Sequence, residues 1–191
     1  TQGPYGSTAD YYAAGVGLIK SVYTPSEGEG TVTSTLAAIE EGVPLIQTIR
    51  FYYPDASAGE LGYVDRKVSF YTNDSTREVF TKAYKQQPPE PLGAVFSPGT
   101  NINSLYLNED GMVYIDLNRA FQKEMNAGAA VESMILQSVA NTFGRYYGAT
   151  RVLLTVDGKP YESGHISLRP GEYLTVDEAD IGDAASWNAG E

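Results

Sequence analysis

Asn103-Ser104-Leu105-Tyr106-Leu107-Asn108-Glu109-Asp110-Gly111-Met112-Val113-Tyr114-Ile115-Asp116-Leu117 decides how this chain folds. Both flanks alternate apolar and polar residues, the period of a strand with one buried face. Asp110-Gly111 between them is a dipeptide that readily takes the positive φ angles of a tight hairpin turn. The reading is two antiparallel strands, Asn103–Leu107 and Met112–Leu117, with Leu105 and Leu107 set against Val113, Ile115 and Leu117.

Working outward toward the C-terminus, Asn118 to Gly128 is a polar segment. After it, Val131, Ile135, Val139 and Phe143 recur every four residues, and Met134 and Leu136 widen the stripe, so a helix is expected. Gly144 and Gly148 mark its frayed end. Val152, Leu154 and Val156 alternate in a strand over Arg151–Val156, turned at Asp157-Gly158, and Tyr161–Leu168 is expected to pair with it. Residues 179–191 read as a tail around Trp187.

Toward the N-terminus, Ile46–Tyr53 is a strand with Ile46, Thr48, Arg50 and Tyr52 on one face and Gln47, Ile49, Phe51 and Tyr53 on the other. Pro54–Gly59 is a turn, and Leu61–Tyr71 returns as a second strand. Ser75 and Glu78 have the spacing of a capping box. The helix they open runs to about Lys85 on an apolar face of Val79, Phe80, Ala83 and Tyr84, and Pro88-Pro89 ends it. Before all this, Tyr11–Ile39 reads as two strands around the polar turn Pro25–Gly30. The first carries Tyr12, Val16, Leu18, Ile19, Val22 and Tyr23, with Gly15 and Gly17 as a bulge or close approach. The second is Thr31–Leu36.

The expected architecture is α+β: a mixed, largely antiparallel sheet with two helices on one face, plus an N-terminal β-hairpin. Residues 1–44 form the hairpin extension, 45–178 the main domain and 179–191 the tail. A lone two-stranded hairpin is marginal in water, so the extension is expected to lean on another body, as a remnant of an upstream domain.

Composition narrows the function. With 42% hydrophobic residues the chain can bury a core, so disorder is excluded as the general state. A formal charge of -11 repels phosphate backbones and anionic lipid, so neither nucleic acid nor direct membrane contact is expected. No apolar run approaches the roughly 20 residues of a bilayer span, and the sequence does not open on a basic-then-apolar stretch, so the signal peptide of an exported protein is expected to lie outside it. The absence of cysteine excludes disulfides, thiol catalysis and thiolate metal sites. Fifteen tyrosines exceed what a core of this size needs, and Tyr is favoured at interfaces because its ring buries while its hydroxyl stays wet.

The residues of chemistry are sparse. The one histidine, His165, has Ser163 nearby but no nucleophile elbow, and reads as a turn or strand-edge residue. A zinc site would need three or four imidazole or thiolate ligands. Asp177, Glu178, Asp180 and Asp183 supply oxygens without the spacing of a calcium loop and read as a solvated acidic tail. Gly15-Val16-Gly17-Leu18-Ile19-Lys20 begins like a dinucleotide fingerprint, but Lys20 stands where the third glycine belongs. No catalytic, cofactor-binding or metal residue is assigned, and no cofactor is expected.

The order of elements resembles the GerMN domain, the sporulation and spore-germination family. The first half rests on Ile49-Arg50-Phe51-Tyr52-Tyr53-Pro54-Asp55, then Asp65-Arg66-Lys67-Val68, then the capped helix. The second half is similar to the family through Phe96-Ser97-Pro98-Gly99-Thr100-Asn101-Ile102-Asn103-Ser104-Leu105, through Asp110 to Asn118, and through the helix followed by Val152–Gly158 and Lys159-Pro160. The resemblance covers Ile46 to Asp177. Tyr11 to Lys20 is similar to a segment that closes an upstream domain in some exported lipoproteins. This chain carries one recognisable copy, where the spore protein carries two in tandem.

The resemblance implies an exported, lipid-anchored envelope protein without enzymatic activity, whose anchor lies outside this chain. Its expected partner is another envelope protein, or further copies of itself. The expected interaction surface is Tyr52, Tyr53, Tyr106, Tyr114 and Trp187, or an open sheet edge. Asn101, Asn103 and Asp116 read as scaffold residues that tie down loops. A module binding a small ligand or cell-wall glycan through tyrosine and Trp187 stacking is the second reading, and a hydrolase with an unrecognised carboxylate pair the third.

Overall fold

A computed structural model describes residues 2–28, 30–179 and 181. It divides into two units, Thr1–Val43 and Pro44–Glu191. Most of the expected 179–191 tail, with Trp187, Asp180 and Asp183, lies outside the described residues.

The first unit is an antiparallel meander of β1 (Gln2–Gly3), β2 (Gly6–Ala13), β3 (Gly17–Pro25) and β4 (Val32–Thr35). The expected hairpin is present as β3–β4, with Lys20 opposite Thr35 and Tyr23 opposite Val32. The stretch read as one strand from Tyr12 to Tyr23 instead folds back on itself. Gly15 and Gly17 take φ of 74° and 97°, left-handed values that glycine adopts without a Cβ clash, and they make a turn rather than a bulge. No residue among 4–28 and 30–43 is buried.

The second unit begins with a ribbon of β5 (Leu45–Asp55) and β6 (Glu60–Phe70), paired from Leu45 opposite Phe70 to Asp55 opposite Glu60. Helix α1 (Thr76–Tyr84) follows, then β7 (Ile102–Leu107), β8 (Val113–Leu117), α2 (Ala120–Lys123), α3 (Ala129–Tyr147), β9 (Arg151–Val156), β10 (Lys159–Pro160) and β11 (Leu174–Thr175). The main sheet runs β10-β9-β8-β7, with β11 also on β9. Only β8–β9 is parallel among these pairs, joined through the long helix α3, so the fold is α+β with a mixed, largely antiparallel sheet.

Alternation puts Val113, Ile115 and Leu117 of β8 and Val152, Leu154 and Val156 of β9 on one face, all buried. Against it lie Ile135, Leu136, Val139 and Phe143 of α3 and Phe80, Ala83 and Tyr84 of α1. Phe80 ties the groups together, its ring 5.1 Å from Phe143 and 5.6 Å from Phe51 of β5. Each such side chain contributes about 1.5–3 kcal/mol on leaving water.

Four local expectations change. Ser75 has the extended backbone of an N-cap but makes no side-chain capping bond, so the Ser75–Glu78 box does not form. The polar segment after Asn118 holds α2, because Phe121 buries its ring 6.0 Å from both Phe96 and Tyr161. Tyr161–Leu168 does not pair with β9 but closes on itself, Leu168 N donating to Tyr161 O at 2.8 Å. Gly148 caps α3 in the left-handed conformation, whereas Gly144 is a buried contact point four residues earlier.

Candidate interaction surface

The main sheet buries one face and leaves the other to solvent. The residues between the buried ones, Ser104 and Tyr106 on β7, Tyr114 and Asp116 on β8, and Leu153 and Thr155 on β9, alternate onto that outer face. Tyr106 stands directly opposite Tyr114, and their rings stack at 5.5 Å with 17° between planes. Tyr106 remains 47% exposed, and Tyr173 nearby along the surface is similarly open. The six residues line a shallow recess of about 240 Å³.

Hydrogen bonds fix this surface at both ends. In the β7–β8 turn, Asp110 accepts from Met112 N at 2.9 Å and from the Tyr114 hydroxyl at 2.9 Å. The Met112 amide, more than any other contact, holds the Asp110 carboxyl below its ordinary range, and the same carboxylate raises the Tyr114 phenol. Arg151 donates to Asp110 O at 3.0 Å and lies 5.4 Å over the Tyr173 ring. At the far end Asp116 accepts from Asn103 Nδ2, Thr155 Oγ1 and Gly158 N at 2.8, 2.6 and 2.8 Å. Asn101 N donates to Asn118 Oδ1, and both amide side chains donate to Gly99 O. Asn101, Asn103 and Asp116 therefore act as scaffold, welding the loop before β7 to the end of β9.

Tyr52 and Tyr53 do not belong to a surface. Tyr53 is 0% exposed among the core rings, because odd-numbered residues of β5 face the helices. Tyr52 lies on the opposite face yet is 1% exposed: its ring packs 6.0 Å from Tyr63 and its hydroxyl donates to Glu178. Burial, reinforced by that bond, pushes the Tyr52 phenol up to about 12. The correction has a physical cause. The segment after β11 folds back over β5, held by Arg145 donating to both oxygens of Glu178 at 3.0 and 3.1 Å and by Asp177 N donating to Asn141 at 2.9 Å. Of the five residues expected to form the surface, Tyr106 and Tyr114 are brought together, Tyr52 and Tyr53 are in the interior, and Trp187 lies outside the described residues.

Other chemistry is absorbed by the scaffold. Glu132 of α3 is 3% exposed and accepts from the hydroxyls of Tyr161 and Ser163. Ser163 Oγ also accepts from the amides of His165 and Ile166 at 3.0 Å, so its lone pairs and proton are all engaged. His165 itself is exposed at the turn. Glu132 could not be singled out from sequence, because its partners lie 29 and 31 residues away. Among the described residues no three His, Cys, Asp or Glu side chains converge as metal ligands, and no helix is long and apolar enough to cross a membrane.

Residues 50–162 match the family model described as Germane: Sporulation and spore germination. No curated protein matches the chain. Among solved structures, the tandem GerMN domains of the sporulation protein GerM from Bacillus subtilis align at 18% identity with a TM-score of 0.49. That alignment covers 69% of this chain and 46% of the tandem protein, so the chain spans about half of that relative's length. The first GerMN domain alone aligns at 16% identity and a TM-score of 0.48, covering 71% of this chain and 99% of that domain.

Proposed function

The chain belongs to the Germane family of sporulation and spore-germination domains, and from that membership we propose that it is a non-enzymatic docking module of a bacterial envelope, exported and lipid-anchored. Its ligand is another envelope protein, received on the outer face of the main sheet. In this reading residues 45–178 form the docking domain and residues 1–44 an extension. The observation that carries it is the stacked Tyr106–Tyr114 pair, left open on a sheet face whose other side carries the core residues Val113, Ile115 and Leu117. Aromatic rings beside apolar Leu153, with a polar rim at Arg151 and Asp116, have the composition of a protein-binding patch.

Glycan binding is the weaker reading. The recess beside the tyrosines, about 240 Å³, is smaller than the roughly 300–1,000 Å³ of small-molecule clefts. The two rings also stack on each other, which removes one face that a sugar would need. The test is a crosslinking pull-down from native envelopes, with the full-length exported protein and its Tyr106→Ala, Tyr114→Ala variant as paired baits. One protein captured by the first bait and lost with the second supports docking on this face. Equal capture by both baits, or recovery of glycan alone, overturns it.

A further inference from the structure

Strand β6 has an edge that is open among the described residues, and its geometry follows from its neighbour. Tyr52 N donates to Thr142 Oγ1 at 3.0 Å and Tyr52 O accepts from Tyr84 at 2.8 Å, so both groups point away from β6. In an antiparallel pair the direction alternates, so the β5–β6 bonds run through Ile49–Arg66, Phe51–Val64 and Tyr53–Gly62. Leu61, Tyr63, Asp65, Lys67 and Ser69 then turn their main-chain N–H and C=O groups outward. Ile181 bridges to Leu61. Among the described residues no main-chain partner meets the other four. An edge of this length with unpaired groups is a template for another strand.

We propose that this edge recognises a second copy of the chain, two β6 strands pairing antiparallel about a two-fold axis at Arg66. The proposal concerns a surface separate from the tyrosine face and does not rest on the docking reading. Three observations select the occupant and its register. The open residues Tyr63, Asp65, Lys67 and Ser69 are symmetric about Arg66, so both copies stay clear of Ile181. Centred there, Asp65 of each copy stands opposite Lys67 of the other, and Tyr63 opposite Ser69. A two-fold axis at Asp65 or Lys67 would set like charges directly opposite, which is unfavourable. The axis at Arg66 also brings two arginines face to face, but each guanidinium is held back on its own chain by Gln86, Gln87 and the Tyr53 ring. Lys67 is exposed and has no ion partner among the described residues, while Asp65 already holds Arg50 at 2.8 Å. Beside the edge, a groove of about 630 Å³ between β6 and α1 is floored by Val68, Val79 and Ala83. On that side the same register brings Val64 of each copy against Val68 of the other. The interface is isologous, so it closes at two copies.

The absence of native cysteine makes the register directly testable. On the axis, Arg66→Cys side chains of two copies sit on Cα atoms about 4.5 Å apart, within the roughly 4.4–6.8 Å range that a disulfide spans. Arg66 also donates to Gln86 and Gln87, so an equimolar mixture of the Asp65→Cys and Lys67→Cys proteins provides a second reading that spares it. Sedimentation of the whole chain is followed at about 0.15 M salt, where the long-range repulsion of two acidic copies is screened beyond about 8 Å. The expected results are a concentration-dependent dimer, weakened about tenfold or more by Lys67→Glu, and oxidative crosslinking of the mixture. A chain that stays monomeric at every concentration overturns the proposal. So does a dimer that is indifferent to Lys67→Glu and is not crosslinked in the mixture. Neither result touches the tyrosine face, whose failure shows only in the pull-down.

Discussion

The hydroxyl of Tyr84 donates to the main-chain oxygen of Tyr52 at 2.8 Å and so closes, from helix α1, the outer edge of strand β5. Thr142 of α3 completes the closure, accepting from Tyr52 N at 3.0 Å and lying 2.7 Å from the same Tyr84 hydroxyl. One edge of the ribbon is thereby sealed by side chains from two helices, while on β6 only Leu61 meets a main-chain partner among the described residues.

Tyr84→Phe removes the buried hydroxyl and leaves Tyr52 O unpaired. The expected cost is about 1–3 kcal/mol of unfolding free energy, read as a lower urea midpoint at unchanged slope. A midpoint equal to that of the parent protein would mean that the edge is closed by something other than this bond.

Gly144→Ala is expected to destabilise even though alanine is the better helix former by about 1 kcal/mol. A Cβ at this position would meet Val176 Cγ2 at 2.2 Å and the carbonyl of Ala149 at 2.9 Å. The net loss should be about 1–3 kcal/mol from overpacking, measured by thermal or urea unfolding. A gain in stability would show that α3 does not approach Val176 and Ala149 so closely.

Acid sensitivity should trace to two carboxylates. The bond from Arg50 holds Asp65 below its ordinary value of 3.8. Burial opposes the charge on Glu178, but Tyr52 and Arg145 outweigh it and keep that group below 4.5. A carboxylate with a depressed folded pKa contributes stability above its unfolded pKa and loses it as pH falls through the folded one. Stability should therefore decline below about pH 4. The decline should be shallower in the Asp65→Asn, Glu178→Gln protein, which starts less stable at neutral pH. Parallel acid limbs in the two proteins would count against the assignment.

Tyr106→Ala is expected to cost less than about 1 kcal/mol, because a half-exposed cross-strand pair adds little to a sheet already packed on its other face. A urea titration checks this. A loss of several kcal/mol would make Tyr106 a structural residue and weaken its place in a docking surface.

Much of the second unit was legible in the sequence because its signals are local. Asp110-Gly111 needed only the turn it makes, with Gly111 at φ 75°, and the four-residue period from Val131 to Phe143 needed only a helix with one buried side. The capping box at Ser75 failed because two residues of the right type can still leave the bond unmade. The N-terminal meander was read with too few strands because Tyr12–Tyr23 is apolar on both sides of a glycine turn. Tyr52 and Tyr53 are both buried although adjacent residues of a strand face opposite sides, because the chain after β11 covers the second side.

The α+β class, the family, the hairpin, the two longer helices and the scaffold roles of Asn101, Asn103 and Asp116 follow from local sequence, since periodicity, turn chemistry and short motifs are properties of neighbouring residues. Which tyrosines face solvent was decided only by tertiary structure. The chain after β11 returns across β5, and Arg145 and Tyr52 hold Glu178 there, 33 and 126 residues away in sequence. Which edge of the β5–β6 ribbon meets the helices was settled in the same way, by Tyr84 and Thr142 sealing β5. Burial and edge pairing depend on what arrives from distant parts of the chain, and no local pattern specifies that arrival.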